Sequence, residues 1–439
     1  MTGSIHADFS PLLAVRGGEP AVKLRQPSWP CPTDSEIEAV RQAMIQGKTD
    51  WAYLCAAGKG GPGQALEERF QRELGVPFAV GTCGAGAALH IACMCVLEMG
   101  DEAITSPYSW GQTAACILQA GGVPIFADID PNTLTLDPAS VEARVTPRTR
   151  AIVAVHMAGV PADMDAINAV AARHGLTVIE DCAQAQGSLY KGRPVGTFGN
   201  FGCFSLGSGK HLAAGDAGML VTSDRTLFEK ALLVGMHPAR MGKDIEDPQR
   251  RAEIDNFIYT YRINTLSAAW ALAEMDRLAE MNTWRRRNLA QLFELLAGVP
   301  GIRPPHLPDW ADPVWHMVNW TFVAEEVPGI SRAQYVKALR AEGVPISTGY
   351  VGSPLHLRPT MRQKRYHFGR GYPWAADPAS HFIEYAPGDC PVAERRCSEL
   401  DMTTQTGWCY CDVSAIMKEF AAAFRKVTDH LDQVRGLEV

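Results

Sequence analysis

The apolar and polar positions of this chain change pattern at about residue 66. From there on, helical segments alternate with short apolar strands, which read FAVGTC, EAITSP, VPIFADI, AIVAVHM, LTVIED, FGCFSL and GMLVTS. Several strands carry consecutive apolar residues instead of a strict alternation, as strands buried on both faces of a sheet do. The pattern predicts an α/β fold with a mostly parallel seven-stranded sheet and helices on both faces.

Upstream of this block, the segment TDSEIEAVRQAM predicts a helix. Thr33 and Glu36 have the spacing of a capping box at its start. Ile37, Val40 and Met44 repeat on one face of it, which is typical of an amphipathic helix.

A second, looser block begins after about residue 265. The stretch NTLSAAWALAEMDRLAEMNTWRRRNLAQLFELL predicts a long helix, and a proline-rich stretch and a mixed α+β segment follow it. We therefore expect two domains. Residues 1–265 are assigned to an N-terminal segment and a large α/β domain, and residues 266–439 to a bridging helix and a smaller C-terminal α+β domain.

Composition and charge narrow the function classes. The chain has 46% hydrophobic and 20% charged residues and a formal net charge of −7, which disfavours a nucleic-acid partner. No basic segment followed by an apolar one opens the sequence, and no apolar run reaches membrane-spanning length, so we expect a cytoplasmic protein without a membrane partner. The two C-x-C cysteine pairs lack further ligands at zinc-site spacing, so we expect no metal.

Candidate chemistry lies where the predicted strands end, because ligands of parallel sheets bind beyond the carboxyl ends of their strands. Asp181 ends LTVIED, and Lys210 follows FGCFSL in the small-residue stretch FSLGSGKHLAAGDAGM. Residues 84–86 open a helix whose N–H groups suit an anion, and Trp110 in SPYSWGQT offers an aromatic face. Lys210 alone also fits an ordinary surface lysine, but together these groups predict a site for pyridoxal 5′-phosphate.

The sequence resembles the DegT/DnrJ/EryC1/StrS family of sugar and cyclitol aminotransferases, which have fold type I of the pyridoxal phosphate enzymes. The resemblance runs from about residue 15 to residue 430 and is most specific in VIEDCAQAQGSLYKGRPVGTFGNFGCFSLGSGKHLAAGDAG. The segments PIFADIDPNTLTLDP and VTPRTRAIVAVHMAGVPADMDAI also match the family pattern. The opening LAVRGGEPAV is similar to openings among the cyclitol aminotransferases of aminoglycoside pathways.

The resemblance implies a role for each candidate residue. It implies that Lys210 holds the cofactor as an imine and that Asp181 pairs with the pyridinium nitrogen. It also implies that Gln184 lies near the ring hydroxyl, that Ser205 binds the phosphate and that Trp110 stacks on the ring. The resemblance implies that His356, within GSPLHLRP, and Tyr350 are substrate residues.

Three segments depart from the family pattern, and one of them, after the lysine, reads Gly215, Asp216, Ala217 and Gly218 in place of the family's usual G-E-G-G. Gly84, Ala85 and Gly86 stand where the family has a polar residue, a glycine and a threonine, so phosphate binding would rest more on backbone amides. In YTYRIN, Thr260 replaces an asparagine that in the family reaches the neighbouring subunit's phosphate, and Arg262 is kept. The resemblance therefore implies a homodimer with shared active sites.

Two glycine-rich segments imitate other nucleotide sites. GAGAAL partly matches a dinucleotide fingerprint, but Leu89 stands where the third small residue belongs, and the next strand lacks a ribose-binding acid. GKGGPG at residues 58–63 lacks the Lys-Ser/Thr of a P-loop. We interpret it as a flexible glycine loop near the substrate or the partner's site, and we interpret His156 and His316 as packing or solvent-facing residues.

The predicted activity is transfer of an amino group from glutamate or glutamine to a keto-sugar or keto-cyclitol, in antibiotic or other sugar biosynthesis. Lys210 would move the proton as general base and acid. Two alternatives stay open. One is a dehydration or ring-forming reaction on the same cofactor, although the sugar dehydratases carry histidine at the lysine position and here only His211 stands beside it. The other is a non-catalytic ligand-binding member, which the altered phosphate positions suggest.

Overall fold

The structure, a computed structural model, describes residues 12–54, 60–366, 371–375, 378 and 380–439. The strands in chain order are β1 (Phe78–Thr82), β2 (Glu102–Thr105), β3 (Val123–Phe126), β4 (Thr149–Val155), β5 (Thr177–Asp181), β6 (Leu189–Tyr190), β7 (Arg193–Pro194), β8 (Phe201–Ser205), β9 (Gly218–Thr222), β10 (Ile302–Arg303), β11 (Ala311–Asp312), β12 (Met317–Phe322), β13 (Ile346–Ser347) and β14 (Asp401–Gln405).

The α-helices are α1 (Asp34–Gln46), α2 (Pro62–Leu74), α3 (Ala85–Val96), α4 (Gln112–Gln119), α5 (Pro138–Ala143), α6 (Met164–His174), α7 (Arg225–Gly235), α8 (Pro238–Asp244), α9 (Pro248–Ala252), α10 (Thr265–Leu295), α11 (Arg332–Ala341), α12 (Pro359–Arg362), α13 (Pro391–Arg395), α14 (Ser414–Asp429) and α15 (Leu431–Val434). Short 3₁₀ turns span Ala14–Arg16, Trp51–Leu54, Met157–Gly159, Ala324–Glu326, Leu355–Leu357 and Ser380–Phe382, and a π-helical turn spans Arg396–Leu400.

Seven strands form the large sheet, in the order β1-β9-β8-β5-β4-β2-β3. β9 is antiparallel to both of its neighbours, and the other adjacent pairs are parallel. Consecutive residues of β4 pack on opposite faces: Ile152 against α2, α6 and α10, and Val153 against α3 and α7. Helices on both faces explain the consecutive apolar residues of the strands, and the predicted sheet is confirmed.

Helix α1 begins with the predicted capping box. The backbone N–H of Thr33 donates to a Glu36 carboxylate oxygen at 2.7 Å. Arg277 of α10 pairs with the same carboxylate at 2.8 Å, which holds α1 on α10. The apolar face of α1 stays largely uncovered in the single chain, since Ile37 is 58% and Met44 56% exposed.

Helix α10 joins two cores. Near its start, Ala268 and Met275 pack under the large sheet, and near its end, Leu289 and Leu292 pack under a second, antiparallel sheet of order β10-β12-β14-β13. This packing supports the predicted bridge between two parts of the chain. No helix in the described part of the chain, α10 included, combines the length and the apolar character that crossing a bilayer requires.

The N-terminal segment packs differently from its sequence assignment to the large domain. Leu13 and Ala21 are buried in the core of the second sheet. The carboxylate of Glu342, just after α11, accepts from the backbone N–H groups of Ala14 and Ala21 at 2.7 and 2.8 Å. Residues 13–22 therefore pack with the C-terminal part of the chain. Their backbone N–H groups supply hydrogen bonds that the buried Glu342 carboxylate needs.

Candidate active site

A cavity of about 680 Å³ lies beyond the carboxyl ends of β2, β5 and β8. It brings together most of the predicted site residues, which come from five separate segments: Gly84, Ala85, Gly86, Trp110, Asp181, Gln184, Ser205, Lys210 and Tyr350. The parallel topology causes this convergence, because strands of one direction end at one edge of the sheet.

Asp181, the last residue of β5, is buried at one side of the cavity. Its carboxylate accepts from the Thr113 hydroxyl at 2.8 Å and from the Ala183 backbone N–H at 3.1 Å. Burial raises the pKa of Asp181, while these two donors and the charge of Lys210 act in the opposite direction. The carboxylate thus has two protein donors and about two further acceptor positions.

Lys210 lines the same cavity as Asp181. Burial lowers the pKa of its ammonium group, and the charge of Asp181 opposes that shift. Its backbone carbonyl accepts from the Trp29 indole N–H at 3.0 Å, which fixes the loop that carries it. A lysine of lowered pKa is more often neutral, as a nucleophile or a general base must be.

The N-terminus of α3 forms the opposite wall. No side chain caps the helix at Gly84, so its first N–H groups have no side-chain acceptor. Gly218 on β9 packs against this turn so closely that a Cβ there would lie 2.4 Å from the Gly84 carbonyl carbon. The Ser205 hydroxyl, at the end of β8, lines the same wall, and together these groups suit an anion.

Gln184 is held by the turn that follows β4. Its side-chain oxygen accepts from the Ala158 N–H at 2.8 Å. Ala158 has a positive φ of 59°, so the turn has an unusual conformation at the point where it contacts Gln184. The turn therefore orients the Gln184 amide in the cavity wall.

Trp110 and Tyr350 form the mouth of the cavity. Their ring centroids are 6.3 Å apart with the planes tilted by 35°. Trp110 is 65% exposed in the single chain. Burial, and to a lesser extent the charge of Asp181, raises the pKa of Tyr350 to about 12, so its hydroxyl is protonated at neutral pH.

Thr260 and Arg262 lie outside this cavity. They line a neighbouring one of about 850 Å³, and Cys83 contributes to both. Arg262 forms an antiparallel bridge with Thr82 at the end of β1. The segment that the resemblance assigns to the partner's site is thus next to its own subunit's cavity but not part of it.

His356 is not among the residues that line the cavity, and its role on the substrate side stays a prediction. Its side chain is fully buried, and its Nε2 lies 3.0 Å from the Glu394 carboxylate. The glycine segment differs from its interpretation as a loop. Residues 58 and 59 lie outside the described residues, whereas Gly61 is the N-cap of α2, which begins at Pro62.

Sequence reasoning missed several lining residues. Thr113 is the last residue of the segment SPYSWGQT, in which the sequence analysis predicts a role only for Trp110. Ser109 and Thr113 are four residues apart at the start of a helix, and this spacing of two hydroxyl groups could have indicated that both contact the site. The Ser109 hydroxyl lies 2.9 Å from the Thr113 hydroxyl, which donates to Asp181. Tyr261, between Thr260 and Arg262, was missed in the same way and lines the cavity.

A buried cluster of His156, Glu180 and Cys182 lies directly behind Asp181, with ligand-type atoms within 4.8 Å of one another. The His156 ring accepts from the Ala162 N–H at 3.0 Å, so its other nitrogen donates to Glu180, also at 3.0 Å. The Glu180 oxygens accept three more backbone N–H groups, of residues 196, 198 and 199. These bonds occupy the histidine and the carboxylate, so the cluster is a hydrogen-bond network that supports the end of β5.

The family model for the DegT/DnrJ/EryC1/StrS aminotransferase family matches residues 34–386. The chain belongs to this family. It is therefore an aminotransferase by family, with the fold shared by the pyridoxal phosphate enzymes of fold type I, as the resemblance implied.

Individual relatives are similar to this chain over nearly its whole length. This aminotransferase is 33% identical over 441 aligned residues to the L-glutamine:2-deoxy-scyllo-inosose aminotransferase of Streptoalloteichus tenebrarius, covering 97% of this chain and 99% of the relative. Among solved structures it is similar to DesI in the presence of its TDP-sugar product, with 27% identity, a TM-score of 0.75 and coverage of 95% and 96%. At 20% identity, the fold is also that of E. coli GDP-4-keto-6-deoxy-D-mannose-3-dehydratase with bound hydrated PLP, with a TM-score of 0.73 and coverage of 91% and 100%.

Proposed function

We propose that this aminotransferase binds pyridoxal 5′-phosphate in the 680 Å³ cavity and transfers an amino group from glutamine or glutamate to a keto-cyclitol. One observation carries the proposal: Lys210, Asp181 and the uncapped N-terminus of α3 line the same cavity. An amine, a buried carboxylate and an anion cradle are the three groups that this cofactor needs from a protein.

The residues present fit the cofactor. Asp181 would hold the pyridinium N–H with its spare acceptor capacity, and Gln184 would contact the ring hydroxyl. The N–H groups of residues 84–86 and the Ser205 hydroxyl would hold the phosphate. A threonine hydroxyl is not needed for this, since the start of α3 offers several backbone donors to an anion.

When bound, the cofactor supplies a carbon that takes up the amino group and a ring that withdraws electrons from the adjacent bond. Asp181 would keep the ring nitrogen protonated, because its negative charge favours the N–H form. Lys210, whose pKa burial lowers, would accept a proton at Nζ from the donor's α-carbon and would deliver it to the cofactor carbon that takes up the amino group. Trp110 would cover the ring and limit the access of water.

The cavity also favours a neutral acceptor. Within the described residues, Lys210 is the one lysine or arginine among its lining side chains, and hydroxyl and amide groups such as Gln112, Gln119 and Tyr261 make up much of its polar lining. A nucleotide-linked or phosphorylated sugar brings a further anionic group, beyond the one that the start of α3 would hold, and arginine or lysine is the common partner of such a group. A polyhydroxylated ring without phosphate needs only hydrogen bonds. The 33% identical relative is named for such an acceptor, 2-deoxy-scyllo-inosose.

The dehydratase alternative depends on His211, and the geometry disfavours it. Its ring is buried and lies 3.2 Å from the Val314 carbonyl, outside the cavity lining. Burial also lowers its pKa well below the ordinary value. Lys210, in contrast, lines the cavity, so the proton transfer falls to the lysine.

The proposal is tested with purified protein, pyridoxal 5′-phosphate, glutamine and 2-deoxy-scyllo-inosose. Wild type should bind the cofactor with a visible absorbance band and form amino-cyclitol and keto acid in equal amounts. Lys210→Ala should lose the band and the turnover, while Lys243→Ala, a surface lysine of α8, should keep both. Unchanged turnover in Lys210→Ala would contradict the assignment, and a protein that never takes up the cofactor would favour the non-catalytic alternative.

We also propose a homodimer with two shared active sites. The exposed Ile37, Met44 and Trp51 give the face around the Thr260–Arg262 cavity an apolar character that a partner would cover. Because a shared site needs each chain to give and receive the same segment, the dimer has twofold symmetry. Thr260 and Arg262 would then reach the partner's cofactor site.

Subunit mixing tests this arrangement. Lys210→Ala chains mixed with Arg262→Ala chains should regain activity, since one site of each mixed dimer keeps both residues. Mixing Lys210→Ala with Asp181→Ala chains is the control: both residues belong to the same chain's side of the site, so every site of the mixed dimer carries one of the two changes, and activity should not recover. Light scattering verifies the dimer, and a monomer that transaminates would refute the proposal.

A further inference from the structure

The buried carboxylate of Asp401 connects both sides of the cavity mouth. Asp401 begins β14 and is fully buried. One of its oxygens accepts from the Tyr108 hydroxyl at 2.6 Å and from the backbone N–H of Tyr350 at 3.1 Å. Tyr108 follows β2 of the large sheet, and Tyr350 follows β13 of the second sheet.

The other oxygen of Asp401 is anchored within the second sheet. It accepts from Arg396 at 3.0 Å and from the Asn319 amide at 3.2 Å. The Asn319 amide also donates to the Tyr108 hydroxyl at 2.9 Å. The carboxylate is therefore fixed from β12 and the π-helical turn, and the cavity-mouth segments are fixed to the carboxylate.

The backbone beside Asp401 is shaped for this contact. Gly349 has a φ of +125°, which disfavours a side chain there. A Cβ on Gly349 would also lie 2.8 Å from the Asp401 carboxylate oxygen. The chain can thus approach Asp401 closely enough for the N–H of Tyr350 to bond to it.

Both partners of this oxygen lead directly to the mouth of the cavity. Tyr108 precedes Ser109, which bonds to Thr113 and through it to Asp181. Trp110 comes two residues after Tyr108 and faces Tyr350 at 6.3 Å. A shift of Asp401 would therefore move both rings that form the mouth.

We propose that Asp401 is a positioning residue, which sets the spacing of Trp110 and Tyr350 and thereby the affinity of this aminotransferase for its keto acceptor. The part that concerns the acceptor rests on the proposed function. The part that concerns the two rings does not.

Asp401→Asn is the test variant, and Glu342→Gln is its matched control. Glu342 is equally buried and has a cationic partner, Lys426 at 3.0 Å, but it holds the N-terminal segment instead of the cavity mouth. Both proteins are labelled with 5-fluorotryptophan, and the Trp110 signal is assigned by its loss in Trp110→Phe. The ¹⁹F spectrum, the KM for 2-deoxy-scyllo-inosose and kcat are measured for each.

We expect the Trp110 resonance to shift in Asp401→Asn and to stay in place in Glu342→Gln. The KM for the acceptor should rise about tenfold in Asp401→Asn with kcat changed less than about twofold, because Tyr350, on the substrate side of the mouth, would contact the acceptor equally before and during the reaction. Tyr108→Phe removes a single hydroxyl and should give smaller changes in the same direction, so it serves if Asp401→Asn does not fold.

A wild-type Trp110 resonance and KM in Tyr108→Phe and in any folded Asp401→Asn would overturn the proposal. Equal changes in Glu342→Gln would overturn it as well, since they would show a general loss of stability. If no keto acceptor is turned over by wild type, the proposed function fails, but the ¹⁹F comparison still decides whether Asp401 positions Trp110.

Discussion

Two buried carboxylates of this aminotransferase, Asp181 and Asp401, differ in how fully the protein satisfies them. Asp181 accepts two hydrogen bonds and borders the cavity. Asp401 accepts bonds from Arg396, Asn319, Tyr108, the Tyr350 backbone and Thr403, at 2.6 to 3.4 Å. A carboxylate has about four acceptor positions. Asp181 thus keeps acceptor positions for the ligand of the proposed function, whereas the hydrogen bonds of Asp401 hold protein segments together.

A third carboxylate, Glu274 on α10, lies between these two cases. One oxygen accepts from the Ala213 N–H at 2.9 Å, three residues after Lys210. The other has no hydrogen-bond partner among the described residues, and the nearest cation, Arg277, is 3.9 Å away. Glu274, like Asp181, accepts fewer hydrogen bonds than a carboxylate can take, but it does not line the cavity. It therefore distinguishes the effect of missing hydrogen bonds from the effect of lying at the cavity.

The largest expected effect is that of Asp181→Asn on activity. Removal of a single electrostatic stabiliser lowers kcat/KM by about 10²–10³-fold. The urea midpoint should stay or rise, because burial penalises the Asp181 charge that the change removes. Asp216→Asn, an exposed carboxylate at the same cavity, should change kcat/KM less than about threefold; equal losses in both variants would contradict the ligand role of Asp181.

Asp401→Asn should have the opposite effect on stability. It leaves the buried Arg396 without its anionic partner, and breaking a buried pair in this way costs about 3–5 kcal/mol. Urea denaturation followed by circular dichroism measures the change. If Asp401→Asn is as stable as wild type, the larger number of hydrogen bonds to Asp401 does not make it more important for stability than Asp181.

Glu274→Gln should change the pH dependence of stability. Burial raises the pKa of Glu274 from 4.5 to about 7, so the folded state binds a proton that the unfolded state releases between these values. Wild type therefore loses stability as the pH rises from about 4.5 to 7, by about 3 kcal/mol for this group alone. Unfolding curves at pH 4.5 and pH 8 should show that the variant gains relative to wild type at the higher pH. A constant difference would refute the shift.

Thr113→Val should have the smallest effect. It removes one hydrogen bond to Asp181, and a bond to a charged group contributes about 1.5–3 kcal/mol to stability. Since the Ala183 N–H still donates to Asp181, kcat/KM should fall by only about threefold to tenfold. Ser109→Ala removes only the neighbouring donor and should have a weaker effect. An effect of Ser109→Ala larger than that of Thr113→Val would show that the order of this hydrogen-bond chain is different.

The sequence by itself determined the large sheet, and it predicted the main groups that line the candidate site. The seven apolar segments were sufficient because each strand is buried on both faces, a local pattern that needs no knowledge of its neighbours. Asp181 and Lys210 could be predicted to lie near each other because parallel strands end at one edge, and the family resemblance implied the chemistry of the pair.

The tertiary structure alone decided the contacts between distant segments. Tyr108 and Asp401 are 293 positions apart, and neither has a local pattern that predicts the other. His356 stands in a segment that resembles an entrance, but its pairing with Glu394 buries it away from the cavity. The packing of the N-terminal segment in the second core has no local pattern either. The buried carboxylate of Glu342 accepts from the backbone that packs beside it, and which backbone that is depends on the whole folded chain.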